Sequence, residues 1–240
     1  MKNAFLITEG LKRFFGGLAA LNDINIEIRR NEILGIIGPN GAGKSTFINV
    51  LAGIYLPTEG RIVFDGQDIT ALPAHRICRL GMGRTFQLAK PLEDLDVLGN
   101  VMIGSLFGRG YGLGEARKKA EAVCEFVGLG DLRRVVTRLT ALEMKKMQIA
   151  SALATEPKLL FLDEVMAGLN ADETGEMIDL VKKIHSQGVT IGIVEHVMKV
   201  IRELTQRVVV LDWGEMIAEG PYEDVSQDPR VISAYLGEEA

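Results

Sequence analysis

Cysteine is nearly absent: only Cys78 and Cys124 occur in 240 residues, far apart and outside any C-x-x-C spacing. That excludes a disulfide framework or a cysteine-based zinc site and leaves two reduced, structural thiols. No apolar stretch approaches the roughly eighteen residues that cross a bilayer. The first residues also lack the uninterrupted apolar core of a secretory leader, so any membrane role is expected to run through a partner. Positive charge is short as well, with 27 Lys and Arg against 32 Asp and Glu and a net charge of -5. Without a polybasic footprint, nucleic acid is not expected as a partner. There are no internal repeats or low-complexity tracts. What the chain does have is apolar content, 47% of its residues, enough for a substantial core in a single α/β domain with a small inserted subdomain.

Glycine is plentiful and in one place ordered. The run Gly38-Pro39-Asn40-Gly41-Ala42-Gly43-Lys44-Ser45 follows the apolar segment Ile33-Leu34-Gly35-Ile36-Ile37 and matches G-x-x-x-x-G-K-[ST], the phosphate-binding P-loop. Glycines let successive backbone N–H groups turn inward on a phosphate chain. Lys44 adds a mobile charge for the β and γ phosphates, and Ser45 offers a hydroxyl to Mg²⁺. Phe47, Ile48, Val50 and Leu51 then begin a helix whose positive end faces the same phosphates.

Residues 3–30 alternate apolar and polar side chains, as does Arg61-Ile62-Val63-Phe64 before the turn Asp65-Gly66, which predicts antiparallel strands. Leu159 to Leu162, Val189 to Val194 and Val208 to Leu211 are continuous apolar runs, the pattern of parallel strands covered on both faces. A helix is predicted from Asn170, with Glu173 completing a capping box, to a stop before Gly188, its buried face carrying Met177, Ile178, Val181 and Ile184. Gly108, Gly110, Gly112 and Gly114 read as a flexible loop, followed by a helix with Ala116, Ala120, Val123, Cys124 and Val127 on one face. The expected organisation is a nucleotide-binding core over 1–87 and 156–240, with an antiparallel β part, and a helical subdomain over 88–155.

A hydrolytic P-loop protein needs a carboxylate for the metal shell at the end of a buried strand, and Leu159-Leu160-Phe161-Leu162-Asp163 supplies one. Glu164 follows directly, well set to orient or deprotonate an attacking water. Another apolar strand ends at Val194-Glu195-His196. Alone, that histidine reads more readily as structural than as functional.

These motifs, in this order, resemble the ATP-binding subunit of an ABC transporter over essentially the whole chain. The order runs from the P-loop through Gln87, a signature-like segment at 139–143, Asp163-Glu164 and Ala167-Gly168-Leu169-Asn170 to His196. The resemblance implies a P-loop NTPase core with a mostly parallel sheet, an N-terminal antiparallel β subdomain and an inserted helical subdomain. It implies ATP and Mg²⁺ as cofactors, with Thr46 joining residues 38–45 at the nucleotide and Asp163 holding Mg²⁺ through water. It also implies that Phe15 stacks on adenine, with neighbouring Phe14 as the alternative, that Gln87 touches the metal or its water and senses a membrane partner, and that His196 contacts the γ-phosphate.

The partners implied are permease subunits, a second ATPase subunit (a copy or a different chain) and, indirectly, a periplasmic or extracellular solute-binding protein. The subunit would be cytoplasmic and peripheral on the inner face of the cell membrane. Residues 88–107, with Leu88, Pro91 and Leu92, would help form a groove for a permease helix. The phrases Phe15-Gly16-Gly17-Leu18, Arg84-Thr85-Phe86-Gln87 and Ile232-Ser233-Ala234-Tyr235-Leu236-Gly237 are similar to ATPases of branched-chain amino acid importers.

The family signature, Leu-Ser-Gly-Gly-Gln, receives the γ-phosphate of the ATP held by the opposite subunit. Here it reads Leu139-Thr140-Ala141-Leu142-Glu143, and Leu142 is expected to crowd the phosphate. Val165 and Asn170 also depart from the usual proline and aspartate. Two readings stand: a tolerated subfamily variant, or a composite site weakened in trans. In the second, the chain would be a regulatory nucleotide-binding subunit with weak hydrolysis.

Overall fold

A computed structural model describes residues 4–85 and 91–236. In chain order it forms β1 (Ala4–Phe15), β2 (Leu18–Ile24), β3 (Glu27–Arg29), β4 (Ile33–Ile37), α1 (Lys44–Leu51), β5 (Glu59–Phe64), β6 (Gln67–Asp68) and α2 (Ala74–Leu80). There follow β7 (Met82–Arg84), α3 (Val97–Ile103), α4 (Leu113–Val127), α5 (Ala141–Leu153), β8 (Leu159–Asp163) and α6 (Ala171–Ser186). The chain closes with β9 (Thr190–Val194), α7 (Met198–Leu204), β10 (Arg207–Asp212), β11 (Glu215–Gly220), α8 (Tyr222–Val225) and α9 (Pro229–Leu236). Two compact units result, residues 1–77 with 190–240, and residues 78–189.

In the first unit β1 pairs antiparallel with β2, β3 and β5, as the alternation at its start predicts. β5 turns into β6 through Asp65 and Gly66, at φ 51° and 77°, the left-handed pair that a two-residue hairpin takes to match strand twist. The continuous apolar runs behave differently. β4 lies parallel between β9 and β10, every residue of β4 and β9 is buried, and β11 closes the edge antiparallel to β10. Gly35 permits this closeness, since a Cβ there would lie 2.9 Å from Val208 Cγ1. Among the buried charged groups of this unit, Arg207 donates to Glu32 at 2.7 Å and also pairs with Glu219. Burial pushes its guanidinium down, and the two carboxylates outweigh that and raise it.

In the second unit β7 and β8 are parallel, and α3, α4 and α5 pack on one another. The helix after Asn170 forms as the sequence predicts, with both halves of the Asn170–Glu173 capping box in place and Met177, Ile178, Val181 and Ile184 buried. The glycine loop needs correction. Gly108 lies in a π-helical segment, Gly104–Arg109, and Gly114 lies within α4. The reason is packing: a Cβ on Gly108 would approach Thr155 Cγ2 to 2.8 Å, and one on Gly104 would approach the Ser151 carbonyl oxygen to 2.3 Å. These glycines mark close approach rather than freedom. Cys124 is buried and its thiol is pushed up to about 11 by desolvation, which suits a structural thiol. No helix among the described residues is long and apolar enough to cross a membrane.

Candidate functional site

The P-loop leaves the buried end of β4. Its neighbours β9 and β10 end at the same edge, with Val194 opposite Ile36 and Val210 opposite Ile37. The C-terminal edge of a parallel sheet is where α/β proteins collect ligand-binding loops. Gly38, Gly41 and Gly43 have φ of 148°, 80° and 99°. Two of them are also fixed by contact: a Cβ on Gly38 would fall 2.0 Å from the Leu211 carbonyl oxygen, and one on Gly43 would fall 2.6 Å from that of Ala20. Pro39 and Ala42 are buried, while Asn40 and Gly41 are exposed.

Gly43 caps α1 with no side-chain hydrogen bond, and no acidic residue stands in the first turn. The helix therefore presents its positive end without a built-in anion. Lys44 is buried, and its Nζ donates to the carbonyls of Gly38 at 2.6 Å and Pro39 at 2.7 Å. Ser45 and Thr46, in the same turn, are half-buried. The cradle thus combines an uncapped helix start with a cation lying along the loop, a donor set suited to a polyphosphate.

In the same unit, His196 stands exposed two residues beyond β9, after buried Glu195. Phe15 ends β1 half-open at 39% exposure, edge-on to Tyr55 at 5.2 Å and under the Arg13 guanidinium at 4.5 Å. An aromatic face in that setting can take a flat ring, while Phe14 is tied by its amide to the Thr58 hydroxyl.

In the second unit, Asp163 ends the wholly buried β8 and is itself 2% exposed. Its amide donates to the Thr85 hydroxyl at 3.0 Å, and Arg84 Nη2 lies 3.4 Å from its Oδ2. Burial pushes the Arg84 guanidinium down, and Asp163 works against that. Glu164 is half-buried, adopts φ 50°, and its carbonyl accepts from Lys145 Nζ of α5 at 2.8 Å. A left-handed glutamate is strained backbone, of the kind that collects at working sites. Val165 and Met166 are buried behind it.

Sequence patterning gave no hint of Arg84, Thr85 or Lys145 as supports, because β7 is three residues long and carries no readable period. Gln87 and Leu88 lie outside the described residues. Of the expected groove, Leu92 is exposed and its backbone N–H and C=O are both held by the Asn100 side chain.

The signature-like segment forms the start of α5. Thr140 is its N-cap and shares a full capping box with Glu143, while Arg134 pairs with the Glu143 carboxylate. The bond from the Thr140 amide, then Arg134, holds that carboxyl below its usual range. Leu139 precedes the cap, Ala141 is exposed, and Leu142, in the first turn, is half-buried.

Residues 21–167 match the family model described as ABC transporter, and residues 215–240 match that of the branched-chain amino acid ATP-binding cassette transporter. The chain is 37% identical, over 97% of its length and 95% of the relative's, to a probable branched-chain amino acid transport ATP-binding protein of Archaeoglobus fulgidus. It is 35% identical, over 99% and 100%, to a high-affinity branched-chain amino acid transport ATP-binding protein of Pseudomonas aeruginosa. An ATP-binding cassette of an ABC transporter in its ADP conformation superposes with a TM-score of 0.88 at 32% identity, over 98% of this chain and 99% of that one. With a P-loop at the edge of a parallel sheet and a buried strand ending in Asp163-Glu164, the chain belongs to the ABC transporter family, as one of its ATP-hydrolysing, ATP-binding cassettes.

Proposed function

We propose that this ATPase powers import of branched-chain amino acids, or similar small solutes, through a partner permease, with a periplasmic or extracellular solute-binding protein delivering the cargo. The likeness to branched-chain amino acid transport ATP-binding proteins supports the substrate class. Two ATPase subunits would close on two nucleotides at their interface, on the inner face of the membrane. The cargo would not touch this chain, so its own residues argue for the motor and not for the solute.

The observation that carries the reading is the cradle at α1: an uncapped, acid-free helix start beside the buried Lys44 ammonium. Lys44 would exchange its two loop carbonyls for β and γ phosphate oxygens. Backbone N–H groups of residues 38–46 would hold the rest of the chain of phosphates, and Phe15 the adenine.

Ser45 and Asp163 would hold Mg²⁺, Asp163 through water, with Gln87 completing the shell. No group of three or more His, Cys, Asp or Glu side chains able to hold a metal occurs among the described residues. Mg²⁺ commonly rests on substrate phosphates and water with one or two protein ligands. When bound, it neutralises charge across the β and γ phosphates. Glu164 would take the proton from the attacking water and His196 would steady the γ-phosphate. Residues 139–143 would face the nucleotide of the partner subunit.

One observation favours the second reading, a regulatory subunit with weak hydrolysis: the start of α5 already carries the anionic Glu143 in its own capping box. Calorimetric titration with ATP tests the main reading. Lys44→Ala should bind ATP much more weakly than the parent, and equal affinity would remove the P-loop from the account.

A further inference from the structure

We propose that Arg84 is the standing counter-ion of Asp163 and, as a positioning residue, sets how strongly a divalent cation is linked to nucleotide binding. The inference rests on the reading of Asp163 as the residue that serves the metal.

A carboxylate 2% exposed at the end of a buried strand is costly unless a partner offsets its charge. Arg84 is the last residue of β7, the parallel neighbour of β8, and sits opposite Phe161. Its side chain is 9% exposed and reaches forward to Asp163 Oδ2. Thr85 locks the two strand ends together, its amide donating to the Phe161 carbonyl at 2.9 Å and its hydroxyl accepting from the Asp163 amide at 3.0 Å. The guanidinium thus comes from a fixed backbone, and it cannot leave by losing its proton.

At 3.4 Å the contact is longer than the roughly 2.7–2.9 Å of a tight charge-assisted bond. It compensates the charge of the carboxylate from beside it. A divalent ion served by the same carboxylate meets like charge at Arg84, and each cation weakens the hold of the other. Such coupling is reciprocal. Removing Arg84 should therefore destabilise the metal-free protein and, at the same time, strengthen the metal's share of nucleotide binding. A purely structural ion pair would do the first and not the second.

The measurement is ADP affinity of the full chain by calorimetry, in excess Mg²⁺ and in EDTA, read as the ratio of the two. Arg84→Met should raise that ratio by about fivefold or more and lower the melting temperature in EDTA. Arg84→Lys, which keeps the charge, should hold the ratio near that of the parent. Arg84→Gln carries the same expectation as Arg84→Met and serves if that variant does not fold. A ratio in Arg84→Met equal to or below the parent's would overturn the proposal. Asp163→Asn separates the two layers: if Mg²⁺ tightens ADP binding in the parent and Asp163→Asn leaves that untouched, the metal reading of Asp163 is what fails, and the inference goes with it.

Discussion

Thr140 and Glu143 cap each other at the start of α5: the Thr140 hydroxyl accepts from the Glu143 amide at 3.2 Å, and the Glu143 carboxylate accepts from the Thr140 amide at 2.8 Å. The helix end proposed to receive a partner's phosphate thus carries a negative group of its own. Glu143→Gln keeps a capping-box side chain and removes the charge. The assembled ATPase should then turn over faster than the parent at saturating Mg-ATP, and Leu142→Gly should add to the gain by opening room. Unchanged or slower turnover in both variants, with folding and ATP affinity preserved, would show that this signature already works as it stands.

Arg207 is a buried cation of the first unit, shared between Glu32 and Glu219. Arg207→Met would leave the Glu32 carboxylate, which is 7% exposed, without its cation and with the Arg29 amide as donor, and should cost about 3–5 kcal/mol. Urea unfolding measures this directly. A loss under about 1 kcal/mol would mean that Glu32 finds water or another donor.

Gly108 offers a sharper test of local structure. If it marked a flexible loop, Gly108→Ala would be neutral or stabilising. With Thr155 Cγ2 only 2.8 Å from the new methyl, the variant should instead lose about 1–3 kcal/mol to overpacking. Gly110→Ala is not an equivalent control, since Gly110 has φ 75°. Gly112, with open space around its Cβ position and no left-handed φ, is the right comparison and should tolerate alanine.

What could be read from the sequence divides along physical lines. Elements whose pattern is set by local burial were legible: the alternation at Ile24, Ile26 and Ile28, all buried, the solid apolar runs of β4, β8, β9 and β10, and α6 with its Asn170 cap. The P-loop was legible because its glycines are dictated by backbone shape. Gly108 was misread because a glycine chosen for close packing has the same letter as one chosen for freedom. β7 and its Arg84 were invisible because a three-residue strand has no period, and an ion pair across 79 positions in the chain leaves no local trace. The self-capped start of α5 was partly hidden by the resemblance itself: Thr140 and Glu143 were read as remnants of a phosphate-binding signature, whereas as a helix start T-x-x-E spells a capping box.

The most direct test of the account is steady-state hydrolysis of Mg-ATP by the parent and by Glu164→Gln, with ATP affinity measured alongside. If Glu164 takes the proton from the attacking water, the variant should bind ATP as well as the parent and turn over at least about a hundredfold more slowly. Turnover at the parent's rate, with ATP bound equally well, would contradict the account at its centre.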